Sequence, residues 1–203
     1  MAQLFISIII ISGILISGTS RMKILISSFA FQSLAIAVLC IGLGYTYNES
    51  HFYILALITL TIKVVAIPHI INKSIRALKV NRELNLIVNG YYSFILSSVY
   101  IIIIAVFLGR NSNLYFQTGV FLVLVGATVL VGRKKAITQM FGFLVIENGI
   151  ILFEISSVKI PLMLEAGMAL EVLVLALIMG VIIFQINKTF DTINTDVLTD
   201  LKE

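Results

Sequence analysis

This sequence has little charge. Only 12% of its 203 residues are charged and 60% are hydrophobic, with a mean hydropathy of +1.11. An average soluble domain is about a quarter charged, so a water-soluble fold could not cover this much apolar surface. The bilayer has to act as the solvent. Cysteine is nearly absent too: Cys40 stands alone in an apolar stretch, which excludes an intrachain disulfide and any CxxC pair for zinc or an iron–sulfur cluster. The two histidines, His51 and His69, both lie near the ends of apolar runs, which argues against haem held by paired mid-span histidines. There is no Walker loop, no GxGxxG after a strand, no HExxH and no nucleophile elbow. The chain is therefore expected to hold no cofactor and no metal, and to do no redox chemistry of its own.

Seven apolar runs are present, near 2–19, 24–46, 52–72, 86–108, 114–132, 136–157 and 161–186. Each is long enough to cross a hydrocarbon core of roughly 30 Å. The expected fold is an all-α polytopic membrane helix bundle of about seven transmembrane helices over 1–186, followed by a cytoplasmic tail at 187–203. The start, MAQLFISIIIISGILISGTS, lacks a basic leader and an A-x-A cleavage site, so it reads as a retained first span. With the N-terminus outside, eleven Lys and Arg fall in the inner connections and tail, against only Arg110 and Lys159 outside. That bias predicts an outer N-terminus and a cytoplasmic C-terminus. The formal charge of +4 is accounted for by these short basic turns, including Arg21 and Lys23 and the run Arg133–Lys135, so no nucleic-acid partner is implied. Arg21, Lys23, Phe29 and Phe31 match Arg133, Lys135, Phe141 and Phe143 at a constant offset of 112. The match suggests two parallel repeats, 1–72 and 114–186, with the fourth run as a connector between three spans on either side.

Ionisable groups near mid-bilayer cost about 2.5–3.5 kcal/mol each on insertion scales, so they need a reason to be there. Lys63 is mid-span in TLTIKVVAIP, Glu147 and Asn148 are central in FGFLVIENGIILFE, and Glu171 is well inside the last run. Glu154 and Glu165 fall nearer the outer ends, where water and head groups lower the cost. Glu147 and Glu154 share a helical face, about 10 Å apart. Lys63, Glu147, Glu171, Glu154 and Glu165 are the candidate stations of an ion path; the other reading makes Lys63 a structural ion pair with Glu147 or Glu171. Gln32 and Asn148 read as interhelical hydrogen-bonding residues. Pro68 frees a backbone carbonyl one turn before it and can kink the span beside Lys63. The glycines, Gly132, Gly142 and Gly149 among them, allow close helix approach, and the tyrosines near run ends suit an interfacial belt.

Three stretches carry a family resemblance. TIKVVAIPHI resembles the ITKVxxxP stretch of component E of hydrogenase-4, a membrane subunit of formate hydrogenlyase-type complexes. RKKAITQMFGFLVIENGIIL looks like that family's basic turn followed by F-G-x-x-x-x-E-N-G, and TFDTINTDVLTDLKE resembles its short amphipathic ending. The last three runs in turn look like the K-type subunit of respiratory complex I, whose glutamates in two adjacent helices relay protons laterally. Glu171 matches the second of those glutamates; the first falls on Leu144, with Glu147 one turn further along. His69 departs from the family pattern. The resemblance implies a cofactor-free membrane-arm subunit of a group 4 NiFe hydrogenase complex in a prokaryotic plasma membrane. Its partners would be antiporter-like membrane subunits, with NiFe and iron–sulfur subunits further away. A subunit of a multisubunit cation/proton antiporter and a purely structural scaffold remain the alternatives.

Overall fold

The computed structural model describes residues 2–78, 87–109 and 112–156, and among these every regular element is helical. The first helix, α1, is Ala2–Gly18, and α2 is Met22–Tyr47. A third rod follows in three parts: α3 at Ser50–Ile58, a π-helical segment at Thr59–Ala66, and α4 at Ile67–Leu78. Then come α5 at Gly90–Leu108, α6 at Leu114–Gly132 and α7 at Ala136–Ser156. Five stretches are long and apolar enough to cross a membrane: α2, Ser50–Lys73 of the third rod, α5, α6 and α7. α1, with 17 residues, is a shorter apolar helix. The seventh run at 161–186 and the tail at 187–203 lie outside the described residues, as do Glu165 and Glu171.

Two of the expected spans differ at their ends. The third continues beyond the apolar run to Leu78, taking the basic stretch from Lys73 into the helix. The fourth begins at Gly90 rather than near residue 86: Ile87 and Val88 turn their N–H groups onto the Gly132 carbonyl, and the extended Asn89 starts the helix. This brings the turn before α5 to the end of the bundle where α6 finishes.

Small residues set how closely the helices approach. On α6, Gly119 and Gly126 are seven residues apart, as are Gly142 and Gly149 on α7. A Cβ on Gly126 would lie 2.7 Å from the Gly142 carbonyl, and one on Gly119 would lie 2.8 Å from that of Gly149. The two antiparallel helices therefore meet backbone to backbone at two levels. That contact drives α7 into the bundle, with Leu144, Val145 and Leu152 fully buried. Gly90 sits likewise against the Gly18 carbonyl, tying the start of α5 to the end of α1.

Candidate functional site: a buried charge on an amide chain

The third rod brings a lysine to the bundle centre through a local change of helix type. Pro68 has no N–H to offer the carbonyl four residues back, and its ring crowds that carbonyl. Upstream of it the helix is wide: the Ile67 N–H reaches back to the Ile62 carbonyl, five residues away. Lys63 lies in this π segment and is completely buried, as is Thr59 one turn earlier. π segments inside α-helices are found disproportionately at functional positions.

Across from Lys63, α7 presents its two central polar residues. The Lys63 Nζ lies 3.4 Å from Glu147 Oε1 and donates to Asn148 Oδ1 at 3.2 Å. Asn148 Nδ2 donates in turn to Gln32 Oε1 at 3.0 Å and to Ser33 Oγ at 3.3 Å on α2. Gln32 Nε2 then donates to the Ile9 carbonyl of α1 at 3.2 Å. Lys63, Gln32, Ser33 and Asn148 have no exposed surface, and Glu147 is 3% exposed.

The direction of this chain is forced. A backbone carbonyl only accepts and an ammonium only donates. The Ile9 carbonyl turns the Gln32 NH2 towards α1, which leaves Gln32 Oε1 facing Asn148. Asn148 must then meet it with its NH2, so its Oδ1 faces Lys63. Both ends of the chain impose the same amide orientations, and the centre is a seat for a donor cation. A carboxylate and an amide oxygen share one ammonium there, which offsets part of its desolvation.

Sequence reasoning offers Glu147 or Glu171 as a partner for Lys63 and singles out Asn148, Gln32 and Pro68 separately; the structure pairs Lys63 with Glu147 and joins both to Asn148 and Gln32 in one network. Pro68 itself is half-buried one turn beyond. Glu154, two residues before the end of α7, is 4% exposed, so its carboxylate is enclosed within the bundle. The glycine contacts that draw α7 inward bury most of the helix, Phe143 excepted, including the carboxylate seven residues beyond Glu147. His69 is exposed, outside the network.

One buried residue was read only as an orientation marker. Arg133 is 2% exposed, and its Nη2 donates to the carbonyls of Ser17 at 2.9 Å and Thr19 at 2.7 Å, with Ile16 at 3.4 Å. Those carbonyls end α1, where unpaired acceptors and the negative end of the helix dipole favour a cation. In the run Arg133–Lys135, only arginine carries a planar fork of donors suited to several carbonyls at once; that composition was the available signal. Nearby, Ser17 and Ser97 share a 2.9 Å hydroxyl hydrogen bond between α1 and α5. The turns after α1, before α5 and after α6 thus gather at one end of the bundle. Among the described residues no three His, Cys, Asp or Glu side chains come together as a metal site would need.

No protein-family model matches the chain, and no solved structure matches it. It is 21% identical over 206 residues to an uncharacterized protein of Mycobacterium tuberculosis, strain H37Rv, across 96% of this chain and 93% of that protein. The likeness therefore runs through every helix described above.

Proposed function

We propose that the protein is a cofactor-free membrane-arm subunit of a group 4 NiFe hydrogenase or formate hydrogenlyase-like complex, contributing to lateral proton or ion translocation. The observation that supports this most directly is the Lys63 ammonium held between Glu147 and Asn148, which joins the Lys-to-Pro stretch to the E-N-G element. These are the two span segments on which the family resemblance rests. In this reading, redox work by NiFe and iron–sulfur subunits shifts charge through Lys63 and Glu147, with Glu154, Glu165 and Glu171 as further stations. Neighbouring antiporter-like subunits continue the path. The chain spans a prokaryotic plasma membrane seven times, N-terminus outside and C-terminus inside. The gathering of the Arg21 and Arg133 turns at one end supports that orientation, because basic connections stay cytoplasmic.

The test is a tagged chain expressed with its chromosomal neighbours. NiFe and iron–sulfur subunits should co-purify, and the Glu147→Gln complex should assemble but pump protons at least tenfold more slowly than wild type. An assembled Glu147→Gln complex pumping at the wild-type rate would sink the relay. Antiporter subunits recovered without redox proteins would favour an antiporter complex. Reporter fusions after Asn48 and after Lys188 should read outside and inside.

A second reading, a structural scaffold, is favoured by one feature: the amide chain ties α1, α2 and α7 together through neutral hydrogen bonds that move no charge. It predicts that every charge-conserving or isosteric change at the centre affects assembly alone.

A further inference from the structure

At the end of the bundle opposite the basic turns, the first turn of α1, the last turns of α2 and the first turn of α6 surround a cavity of about 320 Å³. That is the lower end of the size range for ligand sites. Its polarity is graded along the helix axes. Val38 and Leu39 form the deep wall, about 12 Å from Tyr47 at 1.5 Å per residue. Three hydroxyl-bearing side chains, Thr46, Tyr47 and Tyr115, line the part nearest the helix ends. Tyr47 is braced there against Phe52, with ring centroids 6.3 Å apart.

The cavity also has a glycine in its wall. Gly42 lines it, and a Cβ built there would have no atom within 4 Å. Gly126 and Gly142, by contrast, are packed against backbone. Gly42 is exposed and relieves no helix contact, and its missing side chain widens the open side of the cavity.

We infer that this cavity binds one acyl chain of a membrane phospholipid. The methylenes lie along Phe5, Val38, Leu39 and Leu43, and the ester and phosphate oxygens lie level with the hydroxyls of Thr46, Tyr47 and Tyr115. An acyl chain fits because it is apolar through the depth of the hydrocarbon and acceptor-rich only at the interface, the same gradient the lining shows. Tyrosine at this level is suited to that boundary, with an apolar ring and a polar tip. The site is independent of the buried charge and of any ion path.

The test uses the full chain purified in mild detergent and transferred to native mass spectrometry, with the bound molecule identified by fragmentation. Wild type should retain one phospholipid. Gly42→Leu, whose Cβ meets no existing atom and whose side chain would occupy the cavity, should lower the retained fraction at least tenfold at unchanged helical content. Tyr115→Phe, which removes one hydroxyl and keeps the ring, should lower it about threefold, and it stands as the test if Gly42→Leu fails to fold. Val106→Leu, at an exposed position on α5, should retain lipid as wild type does. Equal retention in wild type, Gly42→Leu and Tyr115→Phe would overturn the assignment. So would a wild-type chain that carries nothing, or that carries an isoprenoid quinone in place of phospholipid.

Discussion

Helices α5 and α7 are similar in length and both apolar enough to span a membrane, yet they do opposite things. In the most apolar 18-residue stretch of each, 67% of positions are buried in α7 and only 17% in α5. α7 carries Glu147, Asn148 and Glu154 into the interior and meets α6 through paired glycines. α5 presents Ile102, Val106 and Phe107 outwards and touches the rest along one narrow line, through Gly90, Ser97 and Tyr100 with the apolar Phe94 and Ile104. In a bilayer, lipid tails satisfy an apolar surface as well as leucine does, so apolarity alone does not draw a helix inward. Close backbone approach and polar groups that need partners do, and α7 has both.

The largest effect should come from breaking the central pair on one side only. Lys63→Met leaves Glu147 buried without its cation and should cost about 3–5 kcal/mol, read as a loss of thermal stability and of folded yield in detergent. Replacing the pair together, Lys63→Met with Glu147→Met, should recover most of that loss, because apolar residues of similar volume often substitute for a buried pair without penalty. A double variant as unstable as the single one would show that the remaining amide chain, not the uncompensated carboxylate, suffers from the change.

Next in size is the glycine contact. Gly126→Ala or Gly142→Ala puts a methyl group against backbone and should cost roughly 1–3 kcal/mol. Gly109→Ala, at the end of α5, meets no neighbour within 4 Å but sits at φ 59° and ψ −173°, a region essentially reserved for glycine, so its cost should come from the backbone alone, about 1–3 kcal/mol. Melting curves of the three variants side by side would separate helix approach from backbone conformation.

Asn148→Leu should cost about 1–3 kcal/mol by leaving Gln32 and Ser33 with unmet partners. Because the two amides are oriented as one chain, Gln32→Leu added to Asn148→Leu should cost little more. A double-mutant cycle with additive losses would contradict a coupled chain.

The smallest effects belong to α5. Ser97→Ala removes its hydroxyl bond to Ser17 and should cost about 0.6 kcal/mol, typical of such bonds between membrane helices. Phe107→Leu on the outward face should shift stability by less than about 0.5 kcal/mol. A loss above 2 kcal/mol in the isolated chain at Phe107 would mean that α5 packs against more than lipid.

How far the site could be read from the sequence follows from these same residues. Lys63, Glu147 and Asn148 were legible because charge and amide groups are costly in a bilayer, so each one announces itself against an apolar background. Gln32 was legible for the same reason, and Pro68 because proline alters any helix it enters. The burial of Glu154 was not legible, because distance along a helix estimates depth in the membrane, whereas burial depends on which neighbours surround that depth. Arg133 was read as an orientation signal because a basic residue in a turn normally faces water; only its place beside the end of α1 gave it carbonyls to bind. The π segment had one visible cause in Pro68, but its extent depends on how the rod packs against α2.

What the sequence determined by itself was the solvent, the helical class and the depth of the apolar runs, since each follows from composition and from lengths set by the bilayer. It also determined that Lys63 would need a partner. Only the tertiary structure decided which partner, and that the Ile9 carbonyl, two rods before Lys63 along the chain, orients both amides towards it. The physical reason is that insertion free energy adds up residue by residue and is local, whereas pairing and hydrogen-bond direction depend on groups that meet only when α1, α2, the π segment and α7 have packed together.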